Sequence, residues 1–532
     1  MKIFKARPHA FKVALLLLAL PLAGHAITTD SGKSFFSPQP ISTTLAPQTS
    51  MLEEFARKHG GDERFFFSAT PFYSKSQAAQ NLRRYFLPEG KDELVIAGSD
   101  VPAGTNYDVS GTWLKIMGSD VPAALGLGLL FNNFQSKITV NPVYENLGVN
   151  LNFYKNIGTR LFVAAECAVL QSKVTHGFAE YDVHNETTRA VTRDLAYQAA
   201  GGESRFEPES RIYSLNATEA FTNPLWQYGK LAVNPLKQNG ISDLGVKAGL
   251  RLDLGSLFVK IILPTSQKPT AQYMFEPLTG NGSHLGLGLG GLLELEKELS
   301  HATVKFFNMA EYVYLLENTQ LRTFDLNNNG PWSRYLIMRE LNHKNSTPGV
   351  NYLTLNTHVT PGHTFNWQSR LGVKVHKISL NAGYNFSFVD QEALSLSGNN
   401  FATQFNIADE QLTDAATDLA LVLIADTTIS EAFLPNSTIQ SPAGNSAGAR
   451  NGAAIPARID YIAAGPINAS NINIQSAQQP AKLLSQLSLA VGFDEMTNDL
   501  PIGVNVGYSY SFDHNKTALA GWAMWLSVGL KV

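Results

Sequence analysis

Apolar residues alternate with small or polar residues near the C-terminus. In residues 502–512 the even positions carry Ile, Val, Val, Tyr, Tyr and Phe, and the odd positions carry Gly, Asn, Gly, Ser and Ser. After a polar turn, residues 522–532 again place apolar side chains at the even positions. Successive side chains of a strand point to opposite faces of its sheet. The pattern therefore predicts two long strands, each with one apolar face.

The same period recurs upstream, in residues 246–254, 365–375, 378–388 and 483–493. Strands of a soluble β-sandwich would also alternate, but these runs are roughly twice as long as the usual strand of about five or six residues. Their polar faces are rich in glycine, small residues and charges, as a wet lumen allows. Aromatic residues such as Tyr508 lie toward strand ends, as in interfacial girdles. These features favour a membrane-spanning barrel over a sandwich.

Short and long connections alternate between the predicted strands, as the short periplasmic turns and long extracellular loops of outer-membrane barrels do. We therefore predict an all-β fold, a transmembrane antiparallel up-and-down β-barrel of about twelve strands with long extracellular loops. A further hairpin within residues 107–131 would make fourteen. The short turns are expected at 155–158, near 255, near 299, near 376 and at 495–501, and the long segments at 75–134, 177–240, 265–283, 318–363 and 390–481.

The N-terminus has the features of a secretory signal peptide. Basic residues precede an apolar run at 13–23, which is followed by Gly24-His25-Ala26, and eleven apolar residues are too few to span a bilayer as a helix. We expect cleavage after Ala26. The predicted organisation is a signal peptide at 1–26, an N-terminal periplasmic or plug segment at 27–61 with a short helix at 51–58, and an outer-membrane barrel at 62–532.

Charge and cysteine content narrow the class of protein. Cleavage would remove Lys2, Lys5, Arg7 and Lys12 and change the formal net charge from −3 to −7. No basic stripe emerges, so we expect no nucleic-acid partner. Cys167 is the single cysteine, so no internal disulfide can form.

Two local motifs are better explained as structure than as ligand sites. Residues 286–291 satisfy a GxGxxG spacing, but leucines alternate with the glycines and no helix is predicted to follow, so a strand is the better interpretation. Asp325 to Gly330 matches half of a calcium loop, but Leu336 stands where a bidentate Glu is needed. The chain has no HExxH motif, and its one GxSxG match, at residues 444–448, lies inside the long segment 390–481 and not at a strand-to-helix elbow. We therefore expect no catalytic residue, no metal, no cofactor and no enzymatic activity.

Charged residues on the polar faces of the predicted strands form a candidate lumen lining. A charged side chain that faces lipid costs ~2–4 kcal/mol at the midplane, so these residues should point inward. Their mixed signs suggest either a lumen with weak ionic selectivity or ion pairs that lock a narrow barrel shut. The set is Arg160, Glu166, Lys247, Arg251, Asp253, Lys260, Glu294, Glu296, Lys305, Glu311, Arg370, Lys374 and Lys531.

One stretch resembles a known group of channels. Leu263-Pro-Thr265, Phe275-Glu276-Pro277 and Gly280-Asn-Gly282, followed by the glycine–leucine strand, are similar to the "LPTG…P…GNG…LGLG" signature of channels related to the long-chain fatty-acid transporter and to phenol-degradation meta-pathway outer-membrane proteins. The resemblance implies a diffusion channel for small, often hydrophobic solutes. The NPA motif of the N-terminal plug of fatty-acid transporters is absent from residues 27–61, and Val532 replaces the usual terminal aromatic residue.

Together these features predict a porin-like channel of the Gram-negative outer membrane that takes up small solutes passively, including hydrophobic ones. The alternative is a surface structural or adhesion barrel whose long loops carry the function. Expected partners are outer-membrane lipid, the barrel assembly machinery and a small-molecule solute.

Overall fold

A computed structural model of the chain describes most of the barrel and part of its loops. The described residues are 32–59, 65–77, 80–97, 106–108, 135–184, 217–224, 226–327, 330–340, 346–398, 400–401, 405–407, 411–413, 420–422, 466–496, 501–514 and 517–531. The expected signal peptide and most of the hairpin at 107–131 lie outside these residues.

Twelve antiparallel strands form a closed barrel, which confirms the predicted fold and strand number. Each strand pairs with its neighbour along the chain, and the first also pairs with the last, Phe66 lying opposite Lys531 and Ser76 opposite Gly521. We number the barrel strands β1 to β12 in chain order. They are Phe65–Ser76, Val143–Ile157, Leu161–Thr175, Leu244–Leu252, Gly255–Leu263, Gly286–Glu298, Thr303–Leu315, Thr364–Val375, Ile378–Val389, Lys482–Met496, Pro501–Asp513 and Gly521–Lys531.

The glycine-rich stretch at 286–291 lies in β6, as predicted, and Gly286, Gly288 and Gly290 face the inside of the barrel. They leave room for large side chains on the neighbouring strands. A Cβ on Gly290 would lie 2.4 Å from the ring of Phe258, and a Cβ on Gly286 would lie 2.8 Å from Leu315. Distances this short exclude any side chain larger than hydrogen. The small residues of the alternating pattern are therefore packing positions.

The wall of the barrel is interrupted once beside β3. The first half of β3 pairs with β4, whereas its second half pairs with Leu236–Ile241, and one extra residue lies in the connection between those two strands. Ser242 fills this interruption: its amide donates to the carbonyl of Ala168 at 2.8 Å, and its Oγ accepts from the amide of Ala168 at 2.7 Å. The arrangement is a β-bulge, by which Leu236–Ile241 continues the wall beyond β4.

The long connections form small sheets and a hydrophobic core of their own at one end of the barrel. Trp226 stacks on Tyr335 with ring centroids 5.0 Å apart, and Trp332 packs edge-on against Tyr335 with centroids 5.5 Å apart. The strands of this loop layer are Leu94–Ala97, Asn106–Asp108, Gln135–Thr139, Ala179–His184, Asn318–Thr323, Asp325–Leu326, Ile337–Glu340, Ser346–Pro348, Thr354–Thr360, Ala393–Leu396, Phe405–Ile407, Gln411–Thr413, Ala420–Val422 and Ile472–Asn473.

The described residues also include five short α-helices. They are α1 Ile41–Thr44, α2 Ala46–His59, α3 Gln80–Phe86, α4 Ala217–Phe221 and α5 Gly349–Leu353. Helix α2 begins five residues before the helix predicted at 51–58. None of these helices is both long and apolar enough to cross a membrane.

Asp325, the first residue of the partial calcium-loop motif, forms an ion pair with Arg334 in the loop layer. The Asp325 carboxylate accepts from the Arg334 guanidinium at 2.6 Å and 2.9 Å, and both side chains are almost fully buried. Two hydrogen bonds between charged groups satisfy the carboxylate. The described residues contain no cluster of three His, Cys, Asp or Glu side chains that could hold a metal ion.

We predict that a charge on the outer face costs stability according to its depth. Leu489 lies near the middle of β10 and is 67% exposed, whereas Ile378 lies at the end of β9 and is 54% exposed. Leu489→Arg should reduce the free energy of unfolding by ~2–4 kcal/mol and Ile378→Arg by no more than ~1 kcal/mol. Guanidinium unfolding of the protein in lipid vesicles measures both, and equal costs at the two depths would contradict the assignment of this face to lipid.

Candidate functional site

The N-terminal segment runs through the inside of the barrel. At the loop end, the amides of Gly32 and Lys33 both donate to the carbonyl of Tyr85, at 3.1 Å and 3.0 Å. The amide of Ser34 donates to the carbonyl of Ser476 at 2.9 Å. From there the segment descends toward the short turns, where the chain enters β1 at Phe65. It therefore links the loop layer to the opposite end of the barrel.

Helix α2 is fixed to the wall by polar side chains. Gln48 is fully buried; its Nε2 donates to Thr70 Oγ1 on β1 at 2.8 Å, and its Oε1 accepts from Asn150 on β2 at 3.3 Å. On the other side of the barrel, Gln368 on β8 donates to Ser50 Oγ at 2.7 Å. These bonds reach opposite walls, so the helix lies across the lumen.

Two adjacent carboxylates of α2 pair with cations from three strands. Glu53 Oε1 accepts from Lys247 Nζ at 2.7 Å. Glu54 accepts from Lys305 Nζ at 2.5 Å and from the guanidinium of Arg370. Lys247 is 5% exposed and Arg370 3% exposed. Charges this deeply buried are costly unless they are paired, so the helix supplies the carboxylates that Lys247 and Arg370 need.

A second group of charges lies above α2. Lys260 Nζ lies 3.0 Å from Glu166 Oε1 and 3.2 Å from Glu311 Oε1, all on the inner face of the wall. Gly245 makes room for this group, because a Cβ there would lie 3.1 Å from Glu166 and 3.2 Å from Lys260. The two carboxylates share one lysine, which leaves this group with a net negative charge.

The structure brings six of the thirteen candidate lumen residues into this network. They are Glu166, Lys247, Lys260, Lys305, Glu311 and Arg370. Glu296 lies at its edge, 3.9 Å from Lys305. Arg251, Glu294 and Lys374 lie on the inner parity of their strands but are partly exposed near the short turns. The side chain of Lys531 lies outside the described residues.

Arg160 and Asp253 do not line the lumen. Both lie in short turns and are exposed. The alternation of inward and outward side chains ends with the strand, so it cannot assign a direction to a residue of the turn.

The carboxylates of α2 were missed because they lie outside every strand. One signal in the sequence could have indicated them. The thirteen candidate residues include eight cations and five carboxylates, and an enclosed lumen needs further negative charge to balance such a set. Glu53 and Glu54, adjacent in the N-terminal segment, supply it.

A cavity of about 160 Å³ lies between α2 and the loop layer. Its wall is largely apolar and comes from β5, β7, β9 and β10, while α1 and α2 form its floor and residues 35–40 its roof. The volume is comparable to an apolar cavity of roughly 150 Å³ that binds benzene. The apolar lining residues include Phe35, Phe36, Ile262, Leu278, Met309, Val313, Leu315, Val389 and Leu484.

Polar groups line the cavity at both ends: next to α2 it is bordered by Glu53, Glu166, Lys247, Lys260 and Glu311, and further polar groups meet it on the side of the loop layer. The Arg322 guanidinium is 1% exposed and stacks on Phe35, with its Cζ 3.2 Å from the ring centroid. Its Nη2 lies 3.4 Å from Glu392, and its Nε and Nη1 have no hydrogen-bond partner among the described residues. Nearby, burial lowers the pKa of His284 to about 4. The neutral ring donates from Nδ1 to the carbonyl of Leu316 at 2.8 Å.

The side chains on the outer face of the barrel show that it is surrounded by lipid. Forty-one large hydrophobic side chains are exposed in the described residues, and most lie on the outward parity of the barrel strands, Leu487 at 54%, Leu289 at 61% and Val259 at 60% among them. Such a continuous apolar surface does not persist in water, and only helices and closed barrels satisfy their backbone hydrogen bonds in lipid. The chain is an outer-membrane β-barrel. Its short turns therefore mark the periplasmic end and its loop layer the extracellular end.

Comparisons with solved structures return other outer-membrane barrels. An outer membrane channel from Pseudomonas putida F1 is 8% identical with a TM-score of 0.32, over 88% of this chain and 95% of that one. A Pseudomonas aeruginosa FadL homologue is 9% identical with a TM-score of 0.25, over 94% and 95% of the two chains. The Pseudomonas putida toluene transporter TodX is 8% identical with a TM-score of 0.23, over 95% and 96%.

These values are too low to transfer a solute or a residue role to this chain. No family model matches the chain, and no curated protein does.

We predict that loss of the Glu54 carboxylate loosens α2. Glu54→Gln would leave Lys305 and Arg370 facing a neutral amide, and breaking a buried ion pair costs about 3–5 kcal/mol. A membrane-impermeant maleimide should therefore label Ser50→Cys at least tenfold faster in the Glu54→Gln protein, each variant carrying Cys167→Ala. The exposed Glu298 at the end of β6 provides the matched control, Glu298→Gln. Equal labelling rates in the two proteins would show that the Glu54 ion pairs do not hold the helix.

Proposed function

We propose that the protein is an outer-membrane channel for the passive uptake of small solutes, and that its pathway leads through the cavity between the loop layer and α2. One observation carries the proposal: a largely apolar cavity of about 160 Å³ lies inside the barrel wall, directly above a helix held by side-chain contacts alone. No disulfide bond ties that helix to the wall, because Cys167 is the single cysteine of the chain. A solute held in the cavity would be separated from the periplasm by α2.

The lining favours small solutes with a large apolar part. Ile262, Val313 and Leu315 form a continuous buried cluster on one wall, and apolar surface contributes about 25 cal/mol per Å² when it leaves water. The unpartnered N–H groups of Arg322 suit a single acceptor group at one end of such a solute. Under this proposal the protein binds and releases its solute without chemical change.

Solute binding should depend on free volume in the cavity. Ser42 lines the cavity, and its side chain is exposed to this space. Ser42→Trp should weaken the binding of a benzene-sized solute such as benzyl alcohol at least tenfold, because the indole would occupy the cavity. Calorimetric titration of the detergent-solubilised protein measures this. Val233→Trp, at an exposed loop position, should bind as the wild type does, and equal binding by both variants would exclude the cavity as the solute site.

Removal of the lumen segment should open the barrel. A chain that lacks residues 32–59 should show at least tenfold larger single-channel conductance in planar bilayers than the chain that retains them. Water and ions would fill the vacated lumen. Heat-modifiable migration in electrophoresis shows that the shortened chain is a folded barrel, and unchanged conductance of that folded chain would contradict the assignment of residues 32–59 as the segment that fills the lumen.

The rival function, a surface structural or adhesion barrel, makes the opposite prediction. Its lumen would stay closed and empty of solute, so the full chain would neither conduct nor bind benzyl alcohol. That pair of negative results would overturn the channel proposal.

A further inference from the structure

Four charged residues form a single row across the outer face of four neighbouring strands. Lys75 on β1 lies opposite Glu145 on β2, Glu145 lies opposite Lys173 on β3, and Lys173 lies opposite Lys237 on the strand Leu236–Ile241. All four have the outward parity of their strands, since the even-numbered neighbours of Lys75, Glu145 and Lys173 face the lumen. The row therefore lies on the outside of the barrel, away from the pathway.

The row lies at the extracellular border of the apolar belt. One outward position below the row, Leu147 is 60% exposed, and beside it Gln171 donates to Asn239 at 2.9 Å; one position further down, Val169 is 50% exposed. At its own height, Trp522 on β12 lies opposite Lys75, and its ring packs against Tyr73 with centroids 5.3 Å apart. Tryptophan and tyrosine mark the level of lipid headgroups in membrane proteins. The lysines are therefore at the depth where hydrocarbon ends and headgroups begin.

The row contains more positive charge than it can neutralise. Glu145 accepts from Lys173 at 2.6 Å, from Lys75 at 2.9 Å and from the Tyr73 hydroxyl at 3.0 Å. Its two oxygens are thus already shared. Lys237 is exposed, lies directly opposite Lys173 and has no carboxylate partner among the described residues. Like charges opposite each other on neighbouring strands are destabilising, so an anion from outside the chain would relieve the repulsion between Lys173 and Lys237.

The excess of charge is confined to one side of the barrel. On β7, β8 and β9 the outward positions near the extracellular end carry aromatic side chains, Tyr312, Phe365 and Phe388. The basic row therefore does not follow from a general enrichment of lysine at the membrane border. Its place beside exposed Leu147 and Val169 also puts cations and an acyl-chain surface next to each other.

We propose that Lys75, Lys173 and Lys237 bind the phosphate groups of a phosphorylated glycolipid in the outer leaflet, whose acyl chains pack on the apolar belt below. Clusters of lysine at a membrane border recognise anionic lipid headgroups. The net charge of the row, three cations and one carboxylate, suits a headgroup with two phosphates. The site is independent of the lumen and of the proposed channel function.

Native mass spectrometry of the full barrel in detergent tests the proposal with two glycolipids of equal acyl content, one bisphosphorylated like lipid A and one dephosphorylated. The wild type should bind the phosphorylated form at least tenfold more tightly. Lys173→Gln combined with Lys237→Gln should abolish that preference. Glu145→Gln should tighten binding of the phosphorylated form, because it removes the one negative charge of the row.

The control is a double variant at the opposite border of the belt. Lys155 and Lys377 lie at the periplasmic end, near Phe65 and Phe493, and Lys155→Gln with Lys377→Gln should keep the preference. Heat-modifiable migration in electrophoresis shows that each variant is folded. Equal binding of the two glycolipids by the wild type, or an unchanged preference in the Lys173/Lys237 variant, would overturn the proposal. So would full displacement of the glycolipid by millimolar inorganic phosphate, which would indicate a site for free phosphate instead.

Discussion

The pairing of β1 with β12 closes the sheet, and the rest of the structure depends on that closure. In hydrocarbon an unpaired backbone N–H or C=O costs several kcal/mol, so an open edge at Phe66 or Trp525 could not face lipid. Once the ring is closed, each strand has one face in lipid and one in an enclosed space. The exposed leucines of the outer face and the glycines, amides and charges of the inner face follow from this one constraint.

Closure also buries charged side chains inside the barrel, and the N-terminal segment supplies counter-charges to them. The lumen receives buried cations from β4, β7 and β8, and among the described residues the ion-pair partners of Lys247 and Arg370 come from α2 and not from the wall. Helix α2 brings Glu53 and Glu54 to them. The same segment ends at Lys33 and Ser34 among the extracellular loops, so a movement of the helix is mechanically connected to the loop layer. Solute held between the two would lie next to both.

The outer face carries its own electrostatic pattern. Where the belt meets water on one side, the alternation that places leucine against acyl chains places Lys173 and Lys237 against headgroups. Inside the barrel, lysine finds its anion within the chain, as Lys247 does with Glu53. Outside, Glu145 is shared by Lys75 and Lys173, and Lys237 has no carboxylate partner among the described residues. The outer row therefore carries an excess of positive charge.

The sequence by itself determined the long strands and their two faces, because alternation is a local property that residues 502–512 display without reference to any other part of the chain. It left the strand number open between twelve and fourteen, and the closed barrel of the structure has twelve. It also identified Lys247, Lys260 and Arg370 as inward charges. It could not pair Glu54 with Lys305, 251 residues away, nor place Asp325 against Arg334 instead of a metal. Nor could it show the bulge at Ser242. Such contacts depend on how distant segments meet after the barrel closes, and only the tertiary structure decided them.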